Sequence, residues 1–212
     1  GRRAVIIGNG NVAVDLLRLL IKHEADFLNS DLDDALRESI AKPLTEIHIV
    51  GRSGAHAAKF DSSLLHELAK IGGVRFSMHG LKDAEVETDA LGEAKIGDLR
   101  MLEQLHDGGP ARVDVHFYFG WVSESIGGEA AVDSITFHAA HDVRERLTIE
   151  ADSVITAVGF SGGARDRFVR ADFVGTEISA QRGMLDAGVY CTGWFGKGAI
   201  GTIPEPRAES RS

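Results

Sequence analysis

Residues 4–7, Ala-Val-Ile-Ile, form an unbroken apolar run, the pattern of a strand buried on both faces of a parallel sheet. A glycine-rich turn follows at Gly8-Asn9-Gly10. Val12, Leu16, Leu19 and Leu20 then recur at i, i+4, i+7 and i+8, which predicts an amphipathic helix with those residues on its apolar face. A polar stretch from His23 to Asn29 leads to Ser30. With Asp33 three residues on, Ser30 reads as the N-cap of a second helix reaching about Ala41, which Pro43 prevents from continuing. Residues 46–50 read as the next strand, ending at Gly51-Arg52-Ser53-Gly54. Asp61 is placed to cap a helix over 62–71, followed by Gly72-Gly73 and a strand over 74–78. A helix is expected over 95–106. From 112 to about 147 the alternation predicts strands, with Val113, Val115, Phe117 and Phe119 on one face. Residues 153–158 read as another buried strand ending at Gly159. A last strand is expected over 188–193, followed by Trp194 and a glycine-rich tail, with 207–212 frayed.

This order predicts an α/β fold: a Rossmann-like three-layer nucleotide-binding domain with additional antiparallel strands. The 25 glycines against 4 prolines suit its tight strand-to-helix turns. The 23 Lys and Arg against 32 Asp and Glu give a net charge of −9, which disfavours nucleic acid and acidic membrane as general partners, though not one local basic pocket. One cysteine, Cys191, excludes an internal disulfide and a cysteine-based zinc site; in its apolar strand it is expected to be a buried, inert thiol. No apolar run approaches the roughly 20 residues that span a bilayer. With neither an initiator Met nor a signal peptide, the chain reads as a cytoplasmic piece of a longer protein.

The chemistry begins at Gly8-Asn9-Gly10-Asn11-Val12-Ala13, a G-x-G-x-x-A match lying directly after a strand and at the start of a helix. Gly8 permits the tight turn, Gly10 lets backbone approach a pyrophosphate, and Ala13 is small enough for helix to pack on strand. The helix N-terminus then offers free N–H groups and the positive end of its dipole. A glycine-rich turn with no ligand is the alternative. An NAD site usually carries Asp or Glu at the tip of the second strand, reading the ribose 2′-hydroxyl. No acid stands at that tip here. Arg52 can pair with a 2′-phosphate and Ser53 can donate one more hydrogen bond, which favours NADP(H) over NAD; a solvated surface Arg is the bland reading. Gly196-Lys197-Gly198-Ala199-Ile200-Gly201 also fits G-x-G-x-x-G, but Pro204 and Pro206 come next and no long helix can start there.

Several blocks together resemble one family. Gly8 to Asp15 looks like the G-x-G-N-V-A-x-D block of adrenodoxin-reductase-type ferredoxin–NADP reductases, and the stretch from Ser30 to Leu36 resembles the family's next segment. Gly51-Arg52-Ser53-Gly54, then Phe60 and Leu65-His66-Glu67-Leu68, resembles the G-R-R-G-P block and the F-T-x-x-E-L-R-E-L helix after it. Gly188-Val189-Tyr190-Cys191-Thr192-Gly193-Trp194, continuing through Gly198 to Ile203, resembles the closing G-x-Y-x-x-G-W…G-P-x-G-x-I block. Glutamate synthase small subunits look like more distant relatives on the same plan. The resemblance covers 1–70 and 148–203 and is loose between.

The resemblance implies a flavoenzyme in which NADPH gives hydride to FAD and electrons pass singly to a ferredoxin-like iron–sulfur protein. It implies that 1–159 is the NADP(H)-binding domain and that 160–212 returns to an incomplete FAD domain, with Trp194 and Gly201 near the nicotinamide and flavin. The chain alone is then expected to be inactive. Three departures stand out. No FAD fingerprint precedes the first strand in these residues. Ser53 stands where the family has its second Arg, and Ala55 where it has Pro. Counting from Phe60, the active-site Glu position falls on Leu64, and Glu67 matches a different position, so no catalytic carboxylate is assigned. Pro204 also departs from the family residue and lacks a backbone N–H. These departures motivate two alternatives: a degenerate dinucleotide-binding module without catalysis, and an NAD(P)H–flavin subunit serving another acceptor.

Other candidates read as structural. His138 and His141 stand three apart with no third ligand, so no metal site is assigned. His66-Glu67-Leu68-Ala69-Lys70 lacks the second His of a zinc-protease helix. Asp15, in the second turn of the first helix, reads as dipole compensation or packing. Trp121 reads as packing or surface.

Overall fold

A computed structural model describes residues 2–27, 30, 31, 33, 35, 44–81, 88–105, 109–159 and 184–191. The chain divides into two compact units, 1–158 and 159–212. In the first unit, β1 (Arg3–Ile7) leads through Gly8-Asn9-Gly10 into α1 (Asn11–Ile21), and a 3₁₀ turn comes next at Glu24–Phe27. The helix expected over 30–41 lies largely outside the described residues. Then come β2 (Glu46–Gly51), a 3₁₀ turn at Ala55–Ala57, α2 (Ser62–Leu68), β3 (Val74–His79), α3 (Ala90–Gln104) and β4 (Val113–Phe119). Three more strands, β5 (Trp121–Gly127), β6 (Ser134–Ala139) and β7 (Arg146–Glu150), precede β8 (Ser153–Thr156).

The main sheet has the order β3-β4-β2-β1-β8 and is parallel throughout. The order reverses at β1: β2 lies on one side, and β8, arriving about 150 residues later, on the other. One face of this sheet presents Ile6, Ile47, Ile49, Phe76, Val115 and Phe117, all buried under the helices. The other presents Val5, Val50 and Tyr118 to the antiparallel sheet β5-β6-β7, whose Ile135, Phe137 and Ile149 complete a second core. Helices, parallel sheet and antiparallel sheet make the three layers expected from the sequence. Trp121, expected as packing or surface, is half-buried against this second core.

α1 exists as expected, but its buried face does not match the expectation. Ala13, Val14, Leu17 and Ile21 are buried, whereas Val12 is 53% and Leu19 50% exposed, and Leu16 and Leu20 are half-buried. Two apolar stripes lie side by side on this helix, and the sheet takes the one that brings Ala13, the smallest residue, against β1. The guanidinium of Arg112 donates to the carbonyl of Ile21, giving that helix end a cation. Asp15 pairs with Arg18 at 3.0 Å on the same helix, a structural role in keeping with its position.

α2 stops at Leu68 rather than 71, because the chain turns toward Gly73, at φ +72°. Its cap is as expected: the carboxylate of Asp61 accepts from the Ser63 N–H at 2.8 Å. α3 begins at Ala90, five residues before the expected start, with the Asp89 carboxylate accepting from Gly92 N–H at 2.8 Å. Gly92 and Gly97 blur its periodicity in the sequence.

In the second unit the described residues form an antiparallel pair, β9 (Met184–Asp186) and β10 (Val189–Tyr190), joined at Gly188 with φ +76°. The strand expected over 188–193 is only two residues long. Cys191 therefore falls outside it and is half-buried, not buried as expected. Trp194, Gly201 and Pro204 lie outside the described residues.

Candidate functional site

The parallel strands end together, and the glycine turn sits at the one place where the strand order reverses, the position at which open α/β sheets bind ligands. Gly8 is at φ +123°, a conformation that favours glycine, and its N–H donates to Val50 O at 2.8 Å. A Cβ on Gly8 would lie 2.3 Å from Ala157 O, just past β8. Gly10 is the N-cap of α1 and has no side-chain cap; among the described residues a Cβ there would meet nothing within 4 Å. The two glycines thus have different roles: Gly8 lets the chain pass against β8, and Gly10 leaves the helix start open on its outer side. Ala13 is fully buried and Val12 exposed.

Asn9 is 7% exposed, and its Nδ2 has no hydrogen-bond partner among the described residues. It lies against the tip of β2: a Cβ on Gly51 would fall 2.2 Å from Asn9 Nδ2. Arg52, the next residue, is exposed, and its side chain has no partner among the described residues. Ser53 is half-buried, and its carbonyl accepts from Gly120 N–H at 3.1 Å, tying the β2 tip to the end of β4.

The loop after β2 folds back over the turn. Asn11 Oδ1 accepts from Asp61 N–H at 2.7 Å. Asn9 O accepts from Lys59 N–H at 3.2 Å, and Gly10 and Lys59 form an isolated parallel bridge. The structure thus groups Gly8, Asn9, Gly10, Asn11, Val12, Ala13, Arg52 and Ser53 at one end of the sheet. It adds Lys59, which the sequence does not mark. Only the bridge to Gly10 gives that lysine away; in the sequence it is one surface cation among several. Leu64 is half-buried against the helix-side core, while Glu67 forms an ion pair with Lys70.

The histidines prominent in the sequence go to separate partners: His141 to Glu145 at 3.4 Å, His138 to Ala139 O at 3.1 Å, His66 to Asp98 at 3.1 Å. The structure instead clusters three others on the sheet face away from the helices. His48 and His116 stack at 5.1 Å, His79 stacks on Tyr118 at 4.3 Å, and His79 Nε2 lies 3.3 Å from His116 Nδ1. His48 is buried, which pushes its pKa down to about 4, with the neighbouring His116 and His79 adding to the effect. Burial also lowers the pKa of His79 and raises that of Tyr118. Among the described residues no group of acids, histidines and cysteines is arranged to hold a metal ion, and no helix is long and apolar enough to cross a membrane.

The fold is that of a dinucleotide-binding domain. Comparison with known proteins names the kin. No protein-family model matches the chain. Cindoxin reductase of Citrobacter braakii is 42% identical over 214 residues, covering all of this chain and 46% of that protein. NADPH-ferredoxin reductase FprA of Mycobacterium tuberculosis is 29% identical over 225 residues, covering 96% of this chain and 49% of the relative. The probable mitochondrial NADPH:adrenodoxin oxidoreductase of Schizosaccharomyces pombe is 25% identical over 226 residues, covering 94% and 48%. The solved structure of M. tuberculosis FprA in complex with NADPH matches with a TM-score of 0.77 at 26% identity, over all of this chain and 51% of that one. The homologues of this chain are thus ferredoxin and adrenodoxin reductases, as the motifs imply. The chain spans about half the length of these relatives.

Proposed function

We propose that this chain is the NADP(H)-binding part of a flavin-dependent oxidoreductase that, when complete, moves hydride between NADPH and FAD and hands electrons to a ferredoxin-like iron–sulfur protein. In this reading 1–159 is the NADP(H) domain and 160–212 belongs to an FAD domain, with Trp194 and Gly201 toward the nicotinamide and flavin. The setting is the soluble interior of a cell, the cytoplasm in the simplest case.

The observation that carries the reading is the glycine turn at the reversal point of the parallel sheet, with a buried amide beside it that has no partner among the described residues. A pyrophosphate supplies what the start of α1 lacks: negative charge, where the first turn carries no acid and the cap offers no side-chain acceptor. Asn9 Nδ2 is a donor without an acceptor among the described residues, and an isolated buried amide costs about 1–3 kcal/mol until it is satisfied. A dinucleotide oxygen is a fitting acceptor.

The residues divide the work by position. Gly8 keeps the turn tight against Ala157. Gly10 leaves room for the phosphates, and the first-turn N–H groups at Asn11, Val12 and Ala13 orient them. Asn11 also holds the loop from β2 in place through Asp61 N–H. Arg52 and Ser53, at the β2 tip, take the 2′-phosphate. A bound flavin would supply the hydride acceptor and the release of single electrons. The part of this chain is to hold the nicotinamide donor in one orientation.

The test is calorimetric titration of the whole 212-residue chain with NADP⁺ and NAD⁺. Binding of NADP⁺ in clear preference to NAD⁺, weakened about tenfold or more by Arg52→Ala while NAD⁺ is unaffected, supports the reading. A folded chain that binds neither nucleotide overturns it.

A further inference from the structure

We propose that Lys59 is a second cation of the dinucleotide site and acts on the pyrophosphate, leaving the 2′-phosphate to Arg52. The inference rests on the reading of the glycine turn as a dinucleotide site.

Position comes first. Lys59 is not in the fingerprint, but the chain returns it there: it bridges Gly10 as a parallel strand neighbour, and its N–H donates to Asn9 O at 3.2 Å. Neighbouring strands run about 4.8 Å apart. A lysine's flexible four-carbon stem therefore spans from that backbone to the space over the start of α1. Among the described residues nothing lies within 4 Å of where a Gly10 Cβ would be, so none of them fills that space.

Availability comes second. The Lys59 side chain is exposed and has no hydrogen-bond or ion-pair partner among the described residues. The lysine that reaches the same loop, Lys95, is engaged: its Nζ donates to Ala58 O. The nearest acid in the loop, Asp61, caps α2 through Ser63 N–H and lies in the field of Lys95.

Demand comes third. The first turn of α1 carries no acid and its cap carries no side-chain acceptor, so the positive end of its dipole is left for an anion. The protein as a whole carries −9, which disfavours an approaching polyanion unless local cations offset it. At the β2 tip Arg52 is followed by the uncharged Ser53. Lys59 restores a second positive charge to this end of the sheet, at a different place. Because it is registered with Gly10, directly before the first N–H groups of α1, its charge falls on the phosphates those groups hold. Arg52 follows Gly51, the residue against which Asn9 lies, at the neighbouring strand tip.

The difference between the two cations is measurable. The pyrophosphate is common to NADP⁺ and NAD⁺, and the 2′-phosphate is not. Lys59→Ala in the whole chain is expected to weaken both nucleotides by the same factor, about tenfold, leaving their affinity ratio unchanged. Lys59→Arg keeps the charge and is expected to restore most of the loss. Arg52→Ala, measured in parallel, changes the ratio. Lys59→Ala binding both nucleotides as wild type does would overturn the proposal, and so would a loss confined to NADP⁺, which would put Lys59 on the 2′-phosphate. The wild-type titration separates this from the underlying reading: if the unaltered chain binds neither nucleotide, the dinucleotide site itself is refuted. Lys59 is exposed, so far-ultraviolet circular dichroism is expected to be identical for all three proteins.

Discussion

Asn9 occupies the space in which residue 51 would carry a side chain: a Cβ on Gly51 would lie 2.2 Å from Asn9 Nδ2. The last residue of β2 and the middle of the glycine turn are therefore fitted to one another. Gly51→Ala is expected to displace the Asn9 side chain and destabilise the domain by about 1–3 kcal/mol, the usual range for overpacking. Denaturant unfolding checks this. The double variant Gly51→Ala with Asn9→Gly should recover part of the loss, because the clash has been removed.

Gly8→Ala has a harsher expected outcome. The residue would be held at φ +123° with its Cβ 2.3 Å from a backbone oxygen, that of Ala157, which cannot rotate away. Backbone strain and the clash together predict a loss of about 3 kcal/mol or more. A midpoint within experimental error of wild type in urea would refute the close approach of Gly8 to β8.

Ser53 stands beside Arg52 with its backbone carbonyl already committed to Gly120 N–H at 3.1 Å. Ser53→Arg leaves that bond intact and adds a guanidinium at the β2 tip. The expected result is a preference for NADP⁺ over NAD⁺ increased about tenfold, read from the ratio of the two dissociation constants. An unchanged ratio would move the 2′-phosphate away from this tip.

His48 makes a pH prediction. Burial holds its folded pKa at about 4, although its Nε2 lies 3.2 Å from Glu46, against about 6.5 when unfolded. The unfolded chain therefore binds the proton more tightly, and stability falls as pH drops from above 6.5 toward 4. At 1.36 kcal/mol per unit of pKa difference the loss approaches roughly 3 kcal/mol at most. The groups facing His48 are Glu46, His116, Tyr118 and, more remotely, His79 and Arg3. The unfolding free energy of His48→Gln, followed from pH 7 to pH 4, should have a shallower slope than wild type. Parallel slopes would remove His48 as the cause.

Asp61 caps α2, so Asp61→Ala is expected to cost about 1 kcal/mol, read from thermal or urea unfolding. The Asp61 carboxylate is held below its usual pKa, mainly by its hydrogen bonds from Ser63. The cap is therefore at full strength above the unfolded carboxylate value and is lost as pH falls through the lowered one.

The parts legible in the sequence were those whose pattern is local. The run 4–7, the Gly8-Asn9-Gly10 turn and a helix after it need only neighbours in sequence to be read, as does the Asp61 cap. The buried side of α1 was not readable, because Val12 and Leu19 are as apolar as Val14 and Leu17 and only the sheet chooses between them. The placing of β4 between β2 and β3 is a pairing across the chain that no local pattern encodes. The histidine cluster has the same origin: His48, His79 and His116 come from three strands whose order sets them side by side. At the candidate site, Arg52 could be named by counting to the end of a strand. Lys59 could not, since its relation to Gly10 is one bridge made by a returning loop.

The inner position of β1 fixes the order in which the molecule is built. Ala4 takes Ser153 as its neighbour on one side, and the backbone N–H groups of Arg2 and Arg3 donate to the carboxylate of Asp152 at 2.6 and 2.8 Å. In a nascent chain β1 and its turn are made about 150 residues before Ala157, which supplies the wall against which Gly8 is seated. Until then β1 has an open hydrogen-bonding edge, and such edges recruit strands from other chains. Closure across so long a stretch is intrinsically slow. The glycine turn thus acquires its shape only once β8 is in place, and a protein cut short before β8 is exposed to aggregation at the strand that later anchors its site.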